Sequence, residues 1–332
     1  MGKLTESFAP ALFFRIIIPG LVLAIGLHPF AHTILEEHIK LGAYPVDGNL
    51  LFISEIIFLG LITYAATNRL HSIAEGTKLP YLTIIFYWWN KRRLRRQSQR
   101  LYQLYLGEDS GKSDAAAKRE ILKLTDYLND FPVEVRGGVP TYQIYRHTRL
   151  GNIIASYQSY TISRYRIDDA TYWHHIRYRM PSDVRGELGG LLSTAEGTVL
   201  ALVCGWIILL IVLLTEAARQ IQVWWPSLAI GQSPIPDSLL RDLLLYAAFI
   251  IVLFNFLARE THRLYGKHFR AAFDTHVNSF MEWLKGHHTE WDETLLRKHD
   301  ALMYYLIYLN EMAEEFAKED PEAKAVSSPP AS

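Results

Sequence analysis

The chain has 332 residues, half of them apolar, and its 34 Lys/Arg are balanced by 34 Asp/Glu. It holds one cysteine, Cys204, which excludes an internal disulfide and a metal centre built on thiolates. The zero net charge is a sum of unlike parts: Arg69 to Ala195 carries 20 Lys/Arg against 12 Asp/Glu, while the apolar stretches on either side carry almost none.

Four stretches are apolar and long, and they come in two pairs. The first pair is Leu12–Ala31 and Leu50–Tyr64; the second is Val199–Leu214 and Leu239–Leu257. A helix rises about 1.5 Å per residue and the hydrocarbon core is roughly 30 Å thick, so about 20 apolar residues span it. The sequence therefore predicts an all-α integral membrane protein in which two transmembrane helical hairpins flank a helical cytoplasmic domain. The divisions are 1–70 for the first hairpin, 71–193 for an interfacial helix and the basic domain, 194–258 for the second hairpin, 259–320 for C-terminal helices and 321–332 for a disordered tail.

Orientation follows from Lys/Arg near the span ends. The run Lys91-Arg92-Arg93-Leu94-Arg95-Arg96 belongs to the middle region, whereas the loops Thr33–Asn49 and Ala217–Ser238 hold one Lys and one Arg. The middle region and both termini are expected on the cytoplasmic side of a plasma membrane. The N-terminal segment reads as a span rather than a cleavable signal, because Arg15 interrupts it and no small-residue cleavage site follows.

In chain order, the first span contains Pro19-Gly20 and His28-Pro29, and proline kinks a helix. After the second span come Glu75-Gly76 and Pro80, then Tyr81–Trp89, aromatic-rich and too short to cross. Aromatic residues followed by the basic run suit the headgroup layer, so an interfacial helix is expected to leave the membrane near Asn90 and continue to about Leu106.

Ser113-Asp114 is a cap for a helix with Ile121, Leu122, Leu124, Tyr127 and Leu128 on one face, stopped by Phe131-Pro132. Thr148 and Asp168 are N-caps for helices ending near Ser163 and Met180. Pro181-Ser182 opens a helix that runs into the third span. The fourth span is expected to continue beyond Arg259, with Phe269, Phe273, His276, Phe280 and Leu284 at helical spacing, to a break at Gly286-His287-His288. A further helix covers 294–318. No strand pattern stands out.

Charges inside spans are costly against lipid and mark candidate sites. Arg15 lies about one turn inside the first span and is expected to snorkel to the inner surface. Glu55 and His28 lie at similar depth near the outer end of the first hairpin and are expected to face each other or the water there. The plainer alternative for Glu55 is a bond to neighbouring backbone or hydroxyl. Arg15 is a poor partner for Glu55, because their depths differ by ~15 Å.

The segment Tyr142–Arg179 holds Arg146, Arg149, Arg164, Arg166, Arg177 and Arg179 among seven tyrosines and Trp173. Arginine forks match phosphate geometry and aromatic faces stack on bases or guanidinium planes, so an anionic ligand is one reading. The other is structural: arginines beside a membrane attract anionic lipid without specificity, and Arg164 and Asp168 are spaced to pair on a helix. No metal site is expected. His174-His175 point about 100° apart on a helix, and no regular Cys/His spacing occurs. No cofactor and no enzymatic activity are expected, since no phosphate-binding, dinucleotide or nucleophile motif is found.

Thr148-Arg149-Leu150-Gly151-Asn152, then Arg164-Tyr165 with Asp168, then Trp173 and Pro181, together with Glu75-Gly76, resembles a pattern in an uncharacterised family of bacterial multi-span membrane proteins. The chain departs from that pattern at His147, Arg166 and His174. The resemblance implies the two-hairpin layout and a bacterial inner membrane, and it brings no reaction. Its site residues here, Arg149, Asn152, Arg164, Asp168 and Trp173, form either an anionic-ligand site or a structural clasp.

The functional expectation is an oligomeric gated pore or channel-like effector controlled by its cytoplasmic domain. Kinked spans and the small residues Gly20, Ala24, Gly26, Gly60, Ala65 and Ala66 favour close helix contacts and a homo-oligomer. The alternative is a non-conducting membrane anchor or scaffold that binds a protein partner, anionic lipid headgroups or a nucleotide through its basic face.

Overall fold

The structure is a computed structural model. It describes residues 12–39, 48–78, 80–109, 115–136, 139–165, 173, 176–224 and 236–287. It resolves into two compact units, Met1–Tyr157 with Pro181–Arg270, and Gln158–Met180 with Ala271–Ser332. The expected caps at Ser113-Asp114 and Asp168, the helix over 294–318 and the tail over 321–332 lie outside the described residues.

The larger unit begins with a π-helical turn, Phe13–Ile17, that passes into helix α1, Ile18–Ile39. Helices α2 (Gly48–Ala65) and α3 (Thr67–Ala74) follow, then α4 (Pro80–Asp109) and α5 (Ala115–Leu128). A β-hairpin, β1 (Val133–Arg136) and β2 (Val139–Tyr142), leads to α6 (Arg149–Gln158). The short α7 (Tyr160–Tyr165) belongs to the smaller unit. Two long helices complete the described chain: α8, Ser182–Trp224, and α9, Asp237–His287.

Three helical segments are long and apolar enough to cross a membrane: Phe13–Phe30, Ser182–Ile221 and Asp237–Ser279. The second expected span, Leu50–Tyr64, belongs to a bent pair of helices. Asn49–Ala65 and Thr67–Ala74 qualify only together and are bent by 72° between them. The bend has a local cause. Thr67 donates its hydroxyl to the Tyr64 carbonyl at 2.6 Å, Thr63 donates to Gly60 at 2.8 Å, and Ala66 leaves helical geometry at φ −90°, ψ 4°. Hydroxyls that bond back to the preceding turn compete with the helical ladder and bend it.

α1 and α2 cross through glycine. A Cβ on Gly20 would overlap the Ile56 carbonyl oxygen and lie 3.0 Å from the Gly60 nitrogen, and one on Gly60 would overlap the Ile16 carbonyl. Small residues let helix backbones approach where hydrocarbon gives no hydrophobic drive for association. The interior of the bundle is apolar: Val22 and Leu23 meet Ala201, Cys204, Ile208 and Val212 of α8 and Leu240, Leu243, Ala247 and Ile250 of α9. The outward faces carry Leu50, Phe58, Leu245, Phe249 and Val252, all exposed. Apolar surface of that extent marks contact with lipid or another protein.

At 43 and 51 residues, α8 and α9 are roughly 65 and 75 Å long, more than twice the hydrocarbon thickness. The helix opened at Pro181-Ser182 runs unbroken into the apolar stretch from Val199, and α9 continues past Arg259 to His287.

α4 and α5 pack through a second core of Leu94, Leu101, Ile121, Leu124, Leu128 and Phe131. Leu122, expected on that face, is 70% exposed, because it lies about 100° around the helix from Ile121. The β-hairpin corrects the strand-free expectation. Val133 pairs with Tyr142 and Arg136 with Val139 in antiparallel register. Val-Glu-Val-Arg alternates with period two, but four residues and a proline in the partner strand are a weak signal.

In the smaller unit, the Tyr160 hydroxyl meets both carboxylate oxygens of Asp274 at 2.8 Å. The helix expected from Thr148 to Ser163 is split at Ser159 into α6 and α7.

Candidate functional site

The site is built on a turn that joins two distant segments. Gly76 follows α3 with φ +78°, a left-handed conformation that glycine adopts without penalty. This turn packs against the start of α6. Thr148 donates its hydroxyl to the Ala74 carbonyl at 2.9 Å and accepts from the Gly151 N–H at 2.9 Å, which caps α6. Arg146 pairs with Glu75, and a Cβ on Gly151 would run into the Glu75 carbonyl oxygen.

Asn152 is fully buried and fixes the loop before it. Its Oδ1 accepts from the Tyr145 and Arg146 N–H groups at 3.0 and 3.2 Å, and its Nδ2 donates to the Arg146 and Thr148 carbonyls at 2.6 and 2.8 Å. Both donor hydrogens and the acceptor are occupied, so Asn152 acts as a clasp. Glu75-Gly76 and Thr148–Asn152 thus meet at one place.

The clasp aims Arg149 at Asp130. Arg149 donates to Oδ2 of Asp130 through Nε (3.0 Å) and Nη2 (2.7 Å). Arg263 of α9 donates to Oδ1 through Nε (2.7 Å) and to Oδ2 through Nη2 (2.6 Å). Asp130 is 3% exposed, so its charge is neutralised by two guanidinium groups out of water. The Tyr127 ring lies between the guanidiniums of Arg93 and Arg149, at 4.9 and 4.7 Å. Burial pushes the Tyr127 phenol above its ordinary pKa, against the pull of the two cations, so it stays neutral.

Beside this hub is a cleft of about 90 Å³. Arg263, Lys267 and Arg270, on successive turns of α9, line one side, and Asp126, Ser156 and Tyr157 line the other. Arg270 donates to the Ser156 hydroxyl at 2.9 Å, and Lys267 stands 4.0 Å from Asp126. Arg259 also lies within electrostatic reach of Arg149, Arg263, Glu260 and Asp130. Three cations, Arg263, Lys267 and Arg270, and two carboxylates, Asp126 and Asp130, line the cleft.

His262 lines the same cleft and is 2% exposed. Its Nδ1 is 3.3 Å from the Tyr157 hydroxyl and the two rings are parallel, with centroids 6.2 Å apart. Its Nε2 is buried with no hydrogen-bond partner among the described residues. The His71 ring lies 6.4 Å away, and His71 Nε2 is 3.4 Å from the Glu196 carbonyl. Glu196 in turn pairs with Arg15.

No family model, curated protein or solved structure matches the chain. Its chemistry is read from the site alone.

The sequence-predicted residues fall in three places. His28 Nδ1 and Glu55 Oε2 are 3.0 Å apart, so α1 and α2 do bring that pair together. Arg15, expected to snorkel to the inner surface, meets Glu196 of α8. Glu196 lies about one helical turn before Val199, where the apolar run begins, and so carries no signal of a charge within that run. Arg149 and Asn152 stand at the hub and the clasp. Arg164 and Trp173 belong to the smaller unit, where the Arg164 guanidinium lies 5.8 Å from the Tyr160 ring centre. Asp168 lies outside the described residues. Asp130, Arg263, Lys267 and Arg270 were not singled out. Asp130 lies in the turn two residues past α5, and the α9 cations read as a solvated face until their partners are known. Among the described residues, no three His, Cys, Asp or Glu side chains are placed to hold a metal ion.

Proposed function

We propose that the chain is a membrane-anchored binding module that takes a small phosphate-class anion in the cleft between α9 and the Asp126–Tyr157 segment. On this reading the apolar helices are a four-span anchor in a bacterial inner membrane, with the second span bent at Ala66. The cleft, the basic middle region and both termini lie on the cytoplasmic side.

The observation that carries the reading is the line of Arg263, Lys267 and Arg270 facing Ser156 and Tyr157 across a cavity. Guanidinium forks match phosphate oxygens bidentately, hydroxyls complete the shell, and an ammonium adds a point charge. Asp130 engages Arg149 and Arg263, while Lys267 stands 4.0 Å from Asp126 and Arg270 bonds to the Ser156 hydroxyl. The dry interior of the bundle supports an anchor rather than a conduit through one chain.

A second reading, an oligomeric pore, is favoured by Asn255. This carboxamide is on the exposed side of α9 beside Phe256, where a polar group in hydrocarbon gains a partner from another copy.

Two measurements on the purified full chain separate the readings. Inorganic pyrophosphate is expected to raise the melting temperature in detergent, since a ligand at 100 times its Kd adds about 2.7 kcal/mol. K267Q/R270Q is expected to abolish that rise. Absence of any rise with the wild-type chain contradicts the binding module, and ion flux from liposomes that Asn255→Leu removes supports the pore.

A further inference from the structure

The outer face of α4 stands apart from the cleft and from the bundle. Leu94 and Leu101 bury its inner face against α5. On the opposite side, Trp88 and Trp89 are 63% and 66% exposed, and Arg92, Arg95, Arg96, Gln99 and Gln103 continue the stripe over the next four turns, all exposed. No acidic side chain among the described residues engages Arg92, Arg95 or Arg96. Lys91 covers the Tyr87 and Trp88 rings at 5.4 and 5.6 Å, so its charge is already placed over aromatic faces.

The stripe is ordered along the helix, with indoles first and guanidiniums after. Indole rings settle at the headgroup level, and arginines beside a bilayer seek its phosphates. The chain also delivers it there. Only residues 75–79 separate the end of α3 from Pro80, and they reach at most roughly 20 Å. The indoles therefore begin within one short linker of the bent span.

We propose that the Trp88-Trp89 and Arg92-Arg95-Arg96 stripe of α4 is a docking surface for the anionic headgroup layer of the membrane that holds the chain. The indoles sit at the acyl boundary and the three guanidiniums bind lipid phosphates. This surface is independent of the cleft, so W88F/W89F leaves the pyrophosphate response intact.

The test reconstitutes the full chain and its W88F/W89F variant into nanodiscs of phosphatidylcholine alone, or with phosphatidylglycerol, each with and without lipids brominated near the headgroup end of the acyl chain. The difference emission between wild type and variant isolates the two indoles. The expected result is a blue-shifted difference spectrum, quenched by brominated lipid, with quenching that deepens when phosphatidylglycerol is present. R92Q/R95Q/R96Q is expected to lose that deepening and keep the basal quenching. A red-shifted, unquenched difference spectrum in both lipids overturns the proposal and places the stripe in water, as a protein or nucleic-acid partner would require. Quenching that ignores phosphatidylglycerol in the wild type overturns the anionic-lipid assignment.

Discussion

Asp130 and Arg263 stand 133 positions apart, just past α5 and on α9, and meet through two hydrogen bonds of 2.7 and 2.6 Å. That contact ties the longest helix to the segment that follows α5, and Arg263 also lines the cleft.

Asp130→Asn is expected to be the most destabilising change in the hub. It leaves Arg149 and Arg263 sharing a buried neutral amide, and breaking a buried ion pair from one side costs about 3 kcal/mol. A fall in melting temperature of several degrees in detergent checks it. Arg149→Lys is expected to restore little, because an ammonium loses the two-pronged contact. An unchanged melting temperature for Asp130→Asn would mean that the hub is not structural.

Gly76→Ala is expected to cost about 1–2 kcal/mol, because a Cβ there adopts φ +78° and meets the His147 Cβ at 3.0 Å. Gly151→Ala pushes against the Glu75 backbone and is expected to cost more. Comparing the melting temperatures of the two variants tests the order.

The α1–α2 crossing predicts coupling. Gly20→Ala and Gly60→Ala each force the helices apart, so the double variant is expected to lose about 1 kcal/mol less than the two singles together. Additive losses would show that the two glycines do not face each other.

His28→Ala is expected to destabilise the α1–α2 packing by about 1–3 kcal/mol, since it removes the side chain 3.0 Å from the partly buried Glu55 carboxyl. Glu55→Gln keeps a bonding group at the same distance and is expected to cost less. Equal losses would contradict the contact.

Arg100 and Glu120 give a contrasting case with a pH sign. The hydrogen bond from Arg100 holds the Glu120 carboxyl below its ordinary range. Its contribution is therefore present above the usual carboxylate pKa and is lost as pH falls through the lowered value. Both groups are fully exposed, so Arg100→Gln is expected to leave the melting temperature at neutral pH almost unchanged.

The apolar runs made legible the three helices long and apolar enough to cross a membrane, and Pro181-Ser182 marked the start of α8 well before its apolar run. The bend at Ala66 was hidden, because it arises from where two threonine hydroxyls bond rather than from a proline or glycine. His28 and Glu55 could be paired from depth alone, as they lie at similar depth in two consecutive apolar runs. Asp130 with Arg263 could not, because a 133-residue separation carries no periodic signal. The motif around Thr148–Asn152 drew notice for its arginine, yet most of it serves to fix a backbone turn against Glu75-Gly76. Arg149 shows its role only through Asp130.

The most direct test of the account is calorimetric titration of inorganic pyrophosphate into the detergent-solubilised full chain. The account predicts saturable binding to one site per chain, weakening as salt rises and at least about tenfold weaker in K267Q/R270Q with its fold retained. No binding heat by the wild-type chain, or an isotherm that the double variant leaves unchanged, would contradict it.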